Sequence, residues 1–448
     1  MKPYLQWCYC LLFTLLSINA GAQEIVTIAG NGISGFSGDG GPATDANLNI
    51  APCFTFDTMG NIFISDAENN RIRRVSTIDR SITTIAGTGI QGYTGDGGNA
   101  KFAQINGPLG IAFDNNGNLF FADAVNKVIR KIDKFGIITT IAGTGVLGCT
   151  GDGGPAILAK LRVPYGLAFD KNNNLYFSDG ACNCVRKIDN FGIITTIAGI
   201  KESSGYSGDG GPATSAKMVY PGYIAIDSKT STLYIPDAVN RRVRNVDLNT
   251  GIISTFAGNG GASLGGDGGP ATAASFITPN SASVDSLGCV LICDNTGYTI
   301  RKVDTLGIIS TLAGTGEEGY SADGTLATAA KLNRPNVTLT DKWGNVYFCD
   351  VLNYRIRRIN YNTTSIKEQL VSPIKASIFP NPAHEYVTVK AESIAINELQ
   401  LLDVTGCAVH SSVYKAPKGE IKLDISYLPT GIYLLKVNGQ YVGKVVKE

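Results

Sequence analysis

Short apolar runs alternate with Gly, Asn and Asp turns along most of the chain, most clearly from Gly107 onwards. Gly107 to Asp114 (GPLGIAFD) reads as a strand, and Asn115 to Asn118 (NNGN) as a hairpin turn, because Asn and Gly accept positive φ at little cost. Leu119 to Ala122, Val128 to Ile132 and Ile137 to Ala142 follow as three more strands with polar turns between them. Four short antiparallel strands in this pattern predict one blade of a β-propeller.

One loop sequence recurs six times, about 57 residues apart, which indicates one supersecondary unit copied six times. The copies are SGDGGPAT at Ser37, TGDGGNA at Thr94, TGDGGPA at Thr150, SGDGGPAT at Ser207, GGDGGPAT at Gly265 and SADGTLAT at Ser321. The predicted fold class is all-β, a six-bladed propeller followed by a small Ig-like β-sandwich.

The phase of the repeat predicts how the ring closes. Glu24 to Gly30 (EIVTIAG) matches the fourth strand of a blade that has no earlier strands. The last copy, Arg334 to Ile359, has three good strands and then only a weak candidate at Ser365 to Leu370. We therefore expect the N-terminal strand to complete the last blade, which removes two open sheet edges.

The blade pattern P-x-G-[IL]-A-F-D-x-x-x-N-L-[YF]-[FI]-[SA]-D-x-x-N-x-x-[IV]-R-[KR]-[IV] resembles the NHL repeat, and all six copies carry most of it over roughly Gln23 to Leu370. The resemblance implies the propeller fold. It leaves the activity open, since NHL propellers include RNA-binding, protein-binding, sensor and lyase members.

Three polar positions recur in every blade in addition to the loop. They are an Asp at the end of the first strand (Asp57, Asp114, Asp170, Asp227, Asp285, Asp341), an Asp at the end of the second (Asp66, Asp123, Asp179, Asp237, Asp294, Asp350) and an Arg seven residues later (Arg73, Arg130, Arg186, Arg244, Arg301, Arg357). Because a binding site needs one constellation and these sets are six-fold alike, we interpret them as turn caps and blade-to-blade ion pairs.

The repeated loop carries one aspartate per copy: Asp39, Asp96, Asp152, Asp209, Asp267 and Asp323. The loop joins the fourth strand of one blade to the first strand of the next, so we expect all six loops on one face, roofing the channel mouth. The Pro-Ala-Thr that follows suits a short helix, which the aspartate would cap. Calcium binding is the alternative, although the single carboxylate in each loop is few for a calcium site. We assign these aspartates a structural role and predict no metal site.

Departures from the repeat are where a specific function is expected. An aromatic residue precedes the loop aspartate in four copies (Phe36, Tyr93, Tyr206 and Tyr320), with Cys149 and Leu264 in the others. We expect each ring to pack on its own loop; stacking on a sugar or peptide is the alternative. The first strands line the channel, and their first residues differ between blades: Leu109, Tyr165, Gly222 and Tyr223, Asn280 and Ser281, and Asn336. We predict ligand binding at Tyr165, Tyr223, Asn280 and Asn336.

Catalytic chemistry is restricted by the composition of the propeller. The only histidines, His384 and His410, lie beyond it, which excludes a His-ligated zinc site or a His general base such as the NHL-like amidating lyases use. Nucleic-acid binding is not predicted either, because Lys plus Arg is 38 against 37 for Asp plus Glu. No catalytic residue and no cofactor is predicted, with Ca²⁺ as the alternative.

The two ends of the chain predict export. Lys2, the apolar run Trp7 to Ile18 and Ala20-Gly21-Ala22 form a secretory signal peptide over residues 1–22, and no later stretch predicts a transmembrane segment. The cysteines after it occupy irregular repeat positions, so we expect mostly unpaired, partly buried thiols.

Composition changes after Pro373, where alternating short strands with Gly and Pro turns predict a β-sandwich over residues 373–448. Phe379-Pro380-Asn381-Pro382-Ala383, the run Leu428 to Val437 (LPTGIYLLKV) and the basic end resemble the type A C-terminal sorting domain of the bacterial type IX secretion system. The resemblance implies that the secretion machinery recognises this tail, and that the protein is secreted or attached to the outer-membrane surface. An adhesion or carbohydrate-binding sandwich is the alternative.

The sequence thus predicts a signal peptide (residues 1–22), a propeller (23–372) and a sorting domain (373–448). The predicted function is an exported binding module for a protein, peptide or glycan, and not an enzyme. Two alternatives stay open: a lyase or lactonase acting at the channel mouth, and a structural spacer on the cell surface.

Overall fold

The computed structural model describes residues 23–341, 343–360, 376–391, 395–402, 408–438 and 440–448. These residues form two compact units, the first ending at Asn360 and the second beginning at Ala376. The predicted signal peptide, the weak strand candidate at Ser365 to Leu370 and the predicted boundary at 372/373 lie outside the described residues.

The first unit contains six four-stranded antiparallel sheets, the six predicted blades. Their strands, from the channel outwards, are β2 (Cys53–Phe56), β3 (Ile62–Asp66), β4 (Arg71–Val75) and β5 (Ile82–Ala86) in blade 1; β6 (Pro108–Phe113), β7 (Leu119–Asp123), β8 (Val128–Ile132) and β9 (Ile138–Ala142) in blade 2; β10 (Pro164–Phe169), β11 (Leu175–Asp179), β12 (Cys184–Ile188) and β13 (Ile194–Ala198) in blade 3; β14 (Ala225–Asp227), β15 (Thr232–Asp237), β16 (Arg242–Asp247) and β17 (Ile253–Ala257) in blade 4; β18 (Pro279–Val284), β19 (Val290–Asp294), β20 (Thr299–Val303) and β21 (Ile309–Ala313) in blade 5; and β22 (Pro335–Thr340), β23 (Val346–Asp350), β24 (Arg355–Asn360) and β1 (Glu24–Ala29) in blade 6.

The N-terminal strand closes the ring, as the repeat phase predicts. β1 pairs antiparallel with β24, with Ile25 opposite Ile359 and Val26 opposite Arg358. The first strands of neighbouring blades lie side by side around the axis, including β2 against β22. Apolar residues of each strand pack against the next blade; Ile72, Ile105 and Phe121, for example, are fully buried in one cluster.

The repeated loops lie at the outer edge of the blades and not over the channel mouth. In blade 1 the Gly40 N–H donates to the Ile82 carbonyl (2.8 Å), and the Ile82 N–H donates to the Gly41 carbonyl (3.0 Å). The predicted roof is therefore wrong. Each loop runs outwards along the fourth strand of the blade it precedes and only then returns to the first strand. The loop hydrogen bonds cover part of the sheet edge that would otherwise be open.

Short 3₁₀ helices follow the loops and the turns after the second strands. The described residues contain Ala43–Asp45, Ala67–Asn69, Ala100–Phe102, Ala156–Leu158, Gly180–Cys182, Ala213–Ser215, Ala238–Asn240, Ala271–Ala273, Ala327–Ala329 and Val351–Asn353. In the described part of the chain, no helix has the length and apolar character needed to span a bilayer.

The second unit is a β-sandwich, as predicted for the tail. One sheet has the order β25 (Ala376–Phe379), β26 (Tyr386–Ala391) and β29 (Glu420–Asp424); the other has the order β28 (Ala408–Lys418), β27 (Ile396–Leu402), β30 (Gly431–Val437) and β31 (Gln440–Lys447). Alternate residues such as Val387, Val389, Leu399, Leu401 and Leu435 are fully buried between the sheets.

Candidate functional site

The six first strands enclose a narrow cavity of about 210 Å³ along the propeller axis. Its walls are mostly aliphatic, with Ser283 and Thr338 hydrogen-bonded to each other across two blades (2.8 Å). The cavity is smaller than the pockets of roughly 300–1,000 Å³ in which most small-molecule ligands bind. A ligand site is therefore expected at an end of the channel and not within it.

Tyr223 fills one level of the channel. The residues at the corresponding position of the first strands in blades 1, 2, 3 and 5 are small: Cys53, Gly110, Gly166 and Ser281. A Cβ on Gly166 would lie 2.5 Å from the Tyr223 Cα, so the glycine is needed for this close approach. One large side chain thus occupies space that its small neighbours leave.

Blade 4 departs from regular pairing to bring Tyr223 to this position. The Tyr223 N–H donates to the Asn280 carbonyl of blade 5 (2.8 Å), and the Ala282 N–H donates to the Tyr223 carbonyl (3.0 Å). β14 consequently begins only at Ala225, two residues after Tyr223. The two first strands are thus joined across the blade boundary, and Tyr223 lines the channel there.

The four residues predicted to bind a ligand come together where the first strands begin. The ring centroids of Tyr165 and Tyr223 are 4.4 Å apart. The Asn280 Nδ2 donates to the Asn336 Oδ1 (3.1 Å) and lies 3.5 Å from the Tyr165 hydroxyl. Tyr223 and Asn336 are buried, whereas Tyr165 and Asn280 are partly exposed. The structure places these residues in one cluster; their ligand-binding role stays a prediction.

Sequence reasoning missed one member of this channel-end cluster, Tyr220. Its ring lies 6.0 Å from that of Tyr165, and the side chain is more exposed than the other members. Tyr220 precedes Pro221 and has φ +54°, an unusual conformation for a tyrosine. The aromatic residue directly before the Pro-Gly of blade 4 was the available signal.

The channel-end cluster is electrically neutral. Burial raises the pKa of both Tyr165 and Tyr223, so their hydroxyls stay protonated at neutral pH. The Tyr223 hydroxyl is buried and has no hydrogen-bond partner among the described residues. Rings and amides in this arrangement can stack on a ligand and exchange hydrogen bonds with it. They contain no carboxylate or imidazole to act as a general acid or base.

The charged residues of the repeat lie at the rim, where one buried arginine per blade organises the loop. In blade 2, Arg130 is fully buried and donates through Nη2 to the Thr94 carbonyl (2.9 Å) and to Asp96 (2.6 Å). Its Nη1 donates to the Gln104 carbonyl (3.1 Å) and lies 3.6 Å from the Asp123 carboxylate. The segment that enters the loop, at Thr94, and the segment that leaves it, at Gln104, are thus both hydrogen-bonded to the third strand.

The same ion pair between arginine and loop aspartate recurs in all six blades, involving Asp39, Asp96, Asp152, Asp209, Asp267 and Asp323. These pairs join each blade to its own incoming loop. The strand-end aspartate and the arginine, for which a pair between blades was expected, lie instead on neighbouring strands of one blade, as Asp123 and Arg130 do. The aspartates do not cap the short helices either. Asp96 accepts from Arg130 and from the Thr140 N–H (3.1 Å), and Asn99 caps the helix that follows.

The aspartates at the end of the first strand cap turns, as predicted. In blade 2, Asp114 Oδ1 accepts from the Asn116 and Asn118 N–H groups (2.9 and 2.8 Å), while Oδ2 accepts from the Asn118 side chain (2.8 Å). In the described part of the chain, no three His, Cys, Asp or Glu side chains are grouped so that they could hold a metal ion.

The aromatic residues before the loop aspartates pack against arginines of their own blade. The Arg71 guanidinium carbon lies 3.7 Å from the Phe36 ring centroid, and that of Arg242 lies 3.9 Å from the Tyr206 centroid. Arg130 and Arg355 stand over Tyr93 and Tyr320 in the same way. These rings therefore pack on the third strand of the blade that their loop precedes, and not only on the loop as expected, with cation–π contact as the physical reason.

Blade 3 replaces this contact with a disulfide between Cys149 and Cys182, separated by 33 residues. Cys182 stands where blade 2 has Asn126, whose side chain donates to the Gly92 carbonyl of its loop (2.8 Å). Five other described cysteines are free and buried: Cys53, Cys184, Cys289, Cys293 and Cys349. Mostly unpaired thiols were expected, and this one pair is the exception.

Comparison with known proteins finds two families along the chain. The secretion system C-terminal sorting domain matches residues 377–448. The Teneurin NHL domain matches residues 78–149, 147–206 and 260–321.

Two curated relatives are similar to this chain. Protein SUPPRESSOR OF QUENCHING 1, chloroplastic, of Arabidopsis thaliana is 26% identical over 395 residues, which is 85% of this chain and 36% of the relative. Teneurin-3 of Danio rerio is 27% identical over 365 residues, covering 73% of this chain and 11% of the relative. The chain therefore spans about a third of the length of the first relative and about a tenth of the second.

Among solved structures, an auxiliary nutrient binding protein from Bacteroides thetaiotaomicron superimposes with a TM-score of 0.55 at 16% identity, covering 76% of each chain. At this level of identity the similarity concerns the fold alone.

Proposed function

We propose that this chain, an NHL-type propeller followed by a secretion-system sorting domain, is an extracellular binding module for a protein, peptide or glycan. The sorting domain means that the protein is secreted or attached to the outer-membrane surface. We further propose that the type IX secretion machinery recognises the tail. The similar nutrient-binding structure supports the fold but not a particular ligand.

One observation supports a binding site at the channel end. The charged residues at the rim repeat in every blade, whereas the channel-end cluster occurs once and breaks the symmetry. Tyr165 and Asn280 are partly exposed there, and Tyr220 is exposed. Aromatic faces and amides are the groups that bind sugar rings and peptide bonds through stacking and neutral hydrogen bonds. The absence of a carboxylate or imidazole in the cluster favours binding over catalysis.

Glycan and peptide arrays probed with the mature protein test the binding site. We expect at least one class of ligand whose binding falls about tenfold or more in Tyr165→Ala and in Asn280→Ala, since each loses a contact made in a largely desolvated site. Leu109→Ala is the matched control, because Leu109 holds the position of Tyr165 in blade 2. Binding that survives both cluster substitutions, or no binding on either array, would contradict the proposal and favour a structural spacer.

Deletion of residues 373–448 tests the export route separately. The truncated protein should accumulate in the periplasm, while the full chain reaches the surface or the medium. Unchanged delivery of the truncated protein would show that the tail is not the export signal. This result would leave the binding site at the channel end unaffected.

A further inference from the structure

The third strand of each blade carries a second polar residue directly after the buried arginine, on the opposite face of the sheet. It is basic in five blades: Arg74, Lys131, Lys187, Lys302 and Arg358, with Asn245 in blade 4. Each lies opposite a residue of the second strand, Arg74 opposite Phe63 and Arg358 opposite Tyr347. These side chains face the gaps between blades.

In blade 6 this residue is held by its own blade. The Arg358 Nε donates to the Asn360 side chain (2.6 Å), and its Nη1 donates to the Tyr347 hydroxyl (3.3 Å). In blade 5, Lys302 lies 3.4 Å from the Asp285 carboxylate. Internal partners thus satisfy these two cations.

Blade 1 lacks the corresponding partners. Phe63 stands where blade 6 has Tyr347, and Ser76 stands where it has Asn360. The Arg74 Nε is buried and has no hydrogen-bond partner, and within the described residues no ion pair or side-chain hydrogen bond engages the guanidinium. A partly buried cation without a partner carries a desolvation cost that a bound anion would offset.

Arg74 lines a large cleft of about 830 Å³ between blades 1 and 2. Apolar side chains form part of its walls: the Phe63 and Phe113 rings meet edge to face 4.9 Å apart, with Ile85 and Ile132 beside them. The cleft between blades 6 and 1, where Arg358 is engaged, measures about 550 Å³. Of these two clefts, the larger is the one in which no ion pair or side-chain hydrogen bond engages the arginine among the residues that the structure describes.

The rim of the cleft adds two further cations, Lys101 and Lys134, and two apolar turn residues, Met59 and Phe135, which are 70% and 75% exposed. Neither lysine forms an ion pair within the described part of the chain. Lys134 lies 5.2 Å from the Phe135 ring. The cleft therefore combines apolar wall residues with three positive charges, beside the carboxylates of Asp57, Asp114 and Asp133.

The carboxylates in the cleft are already used by their own turns. Asp57 accepts from the Met59 and Asn61 N–H groups and from the Asn61 side chain, and Asp114 has the equivalent three bonds. Asp133 accepts from the Phe135 and Ile137 N–H groups (2.9 and 3.0 Å). Since these aspartates are satisfied and the cations are not, an additional anion finds unused donors in the cleft.

We propose that this interblade cleft binds a carboxylate that carries an aromatic or aliphatic body. The carboxylate meets the Arg74 guanidinium, whose planar donors match its geometry, and the apolar body packs against the paired Phe63 and Phe113 rings. The source is a free small acid or the C-terminal carboxylate of a peptide. This site is separate from the channel-end cluster and does not rest on the function proposed there.

Calorimetry on the mature full chain tests the cleft with three probes: phenylacetate, its neutral analogue phenylacetamide, and N-acetylphenylalanine as the peptide-carboxylate arm. We expect at least one of the acids to bind about tenfold or more tightly than phenylacetamide, because a charge-assisted hydrogen bond to the guanidinium is lost in the amide. Binding of phenylacetate assigns a free acid as a sufficient ligand. Binding of N-acetylphenylalanine alone assigns the peptide carboxylate.

Three variants locate the binding. Arg74→Gln should abolish the preference for the acid over the amide, whereas Arg358→Gln, the matched position in blade 6, should retain it. The double variant Phe63→Tyr with Ser76→Asn gives Arg74 the partners that Arg358 has. Blade 6 shows that the tyrosine fits, since Tyr347 meets Phe56 edge to face at 5.1 Å, as Phe63 meets Phe113. This variant should fold normally and bind the acid several-fold more weakly.

Three results would overturn the proposal. The first is that neither acid binds at millimolar concentration. The second is that the amide binds as tightly as the acid, and the third is that Arg74→Gln keeps the acid preference. The Tyr165 and Asn280 variants should leave acid binding unchanged, so failure of the cleft and failure of the channel-end site can be distinguished.

Discussion

The rim and the channel end of the propeller are built from the same repeat, yet they hold their residues in place by different means. At the rim, each blade buries one arginine between a loop aspartate and a strand aspartate. In the channel-end cluster none of the five residues is charged, and Tyr223 fits because its neighbours are small. The rim therefore depends on compensating charges that must be present in every copy. The channel end depends on size complementarity, which allows the blades to differ.

Removing one rim arginine should have the largest effect on stability. Arg130→Met leaves Asp123 buried without its cation and removes the hydrogen bonds that hold the loop at Thr94 and Gln104. We therefore expect the free energy of unfolding to fall by about 3–5 kcal/mol. Chemical denaturation measures it. Lys131→Met, at the next and partly exposed position of the same strand, is the control and should cost roughly 0.5 kcal/mol or less. A loss below about 1 kcal/mol in Arg130→Met would mean that the rim network is not structural.

Truncating Tyr223, which fills one level of the channel, should lower the free energy of unfolding nearly as much. Tyr223→Ala removes a buried ring from a closely packed level of the channel, and we expect a loss of about 3–4 kcal/mol from burial and cavity formation. Tyr223→Phe removes only a hydroxyl that has no partner, so its free energy of unfolding should be unchanged or slightly higher. If Tyr223→Phe were strongly destabilising, the hydroxyl would have a partner that size complementarity does not account for.

The two regions also differ in how far the sequence predicts them. Strand positions follow from local alternation, and Val128 to Ile132 is observed at those bounds as β8. The ring closure follows from the phase of the repeat. The radial position of the loops does not, because antiparallel connectivity fixes the face on which a loop lies but not its distance from the axis. That distance is set by Arg130 and its equivalents, whose contacts with the loop carbonyls are long-range.

The gathering of Tyr165, Tyr223, Asn280 and Asn336 was predictable, because the start of each first strand points towards the axis. Tyr220 was missed because it lies before the strand, in a turn. The pair Cys149 and Cys182 was missed for a similar reason. Their two repeat positions are known to meet only once the contact between Asn126 and the Gly92 carbonyl has been seen. The cleft at Arg74 was missed because its special feature is the lack of a partner.

Blade 3 allows the rim to be tested without removing a charge. Replacing Cys149 and Cys182 together by alanine should lower the free energy of unfolding by ~2–4 kcal/mol, because the unfolded chain regains the freedom of a loop of 33 residues. Cys149→Tyr with Cys182→Asn introduces the ring and amide that blade 2 uses, and should recover part of this loss. Equal stability of the alanine variant and the wild type under oxidising conditions would show that the disulfide adds nothing to the rim.

The smallest expected effect is the pH dependence of the buried rim aspartates. Burial raises the pKa of Asp123 from its usual value to about 6, against the opposing hydrogen bonds from Asn126 and Asn106 and the charge of Arg130. Between about pH 4 and pH 6 the unfolded chain has lost this proton while the folded chain keeps it, so stability falls as the pH rises through that window. Asp123→Asn, which resembles the protonated form, should remove a contribution on the order of 2 kcal/mol or less from the pH dependence. Asp114→Asn, at the turn cap on the same blade, serves as the control. Identical slopes of stability against pH between pH 4 and pH 6 for Asp123→Asn and the wild type would show that Asp123 is ionised throughout and that the arginine compensates its burial completely.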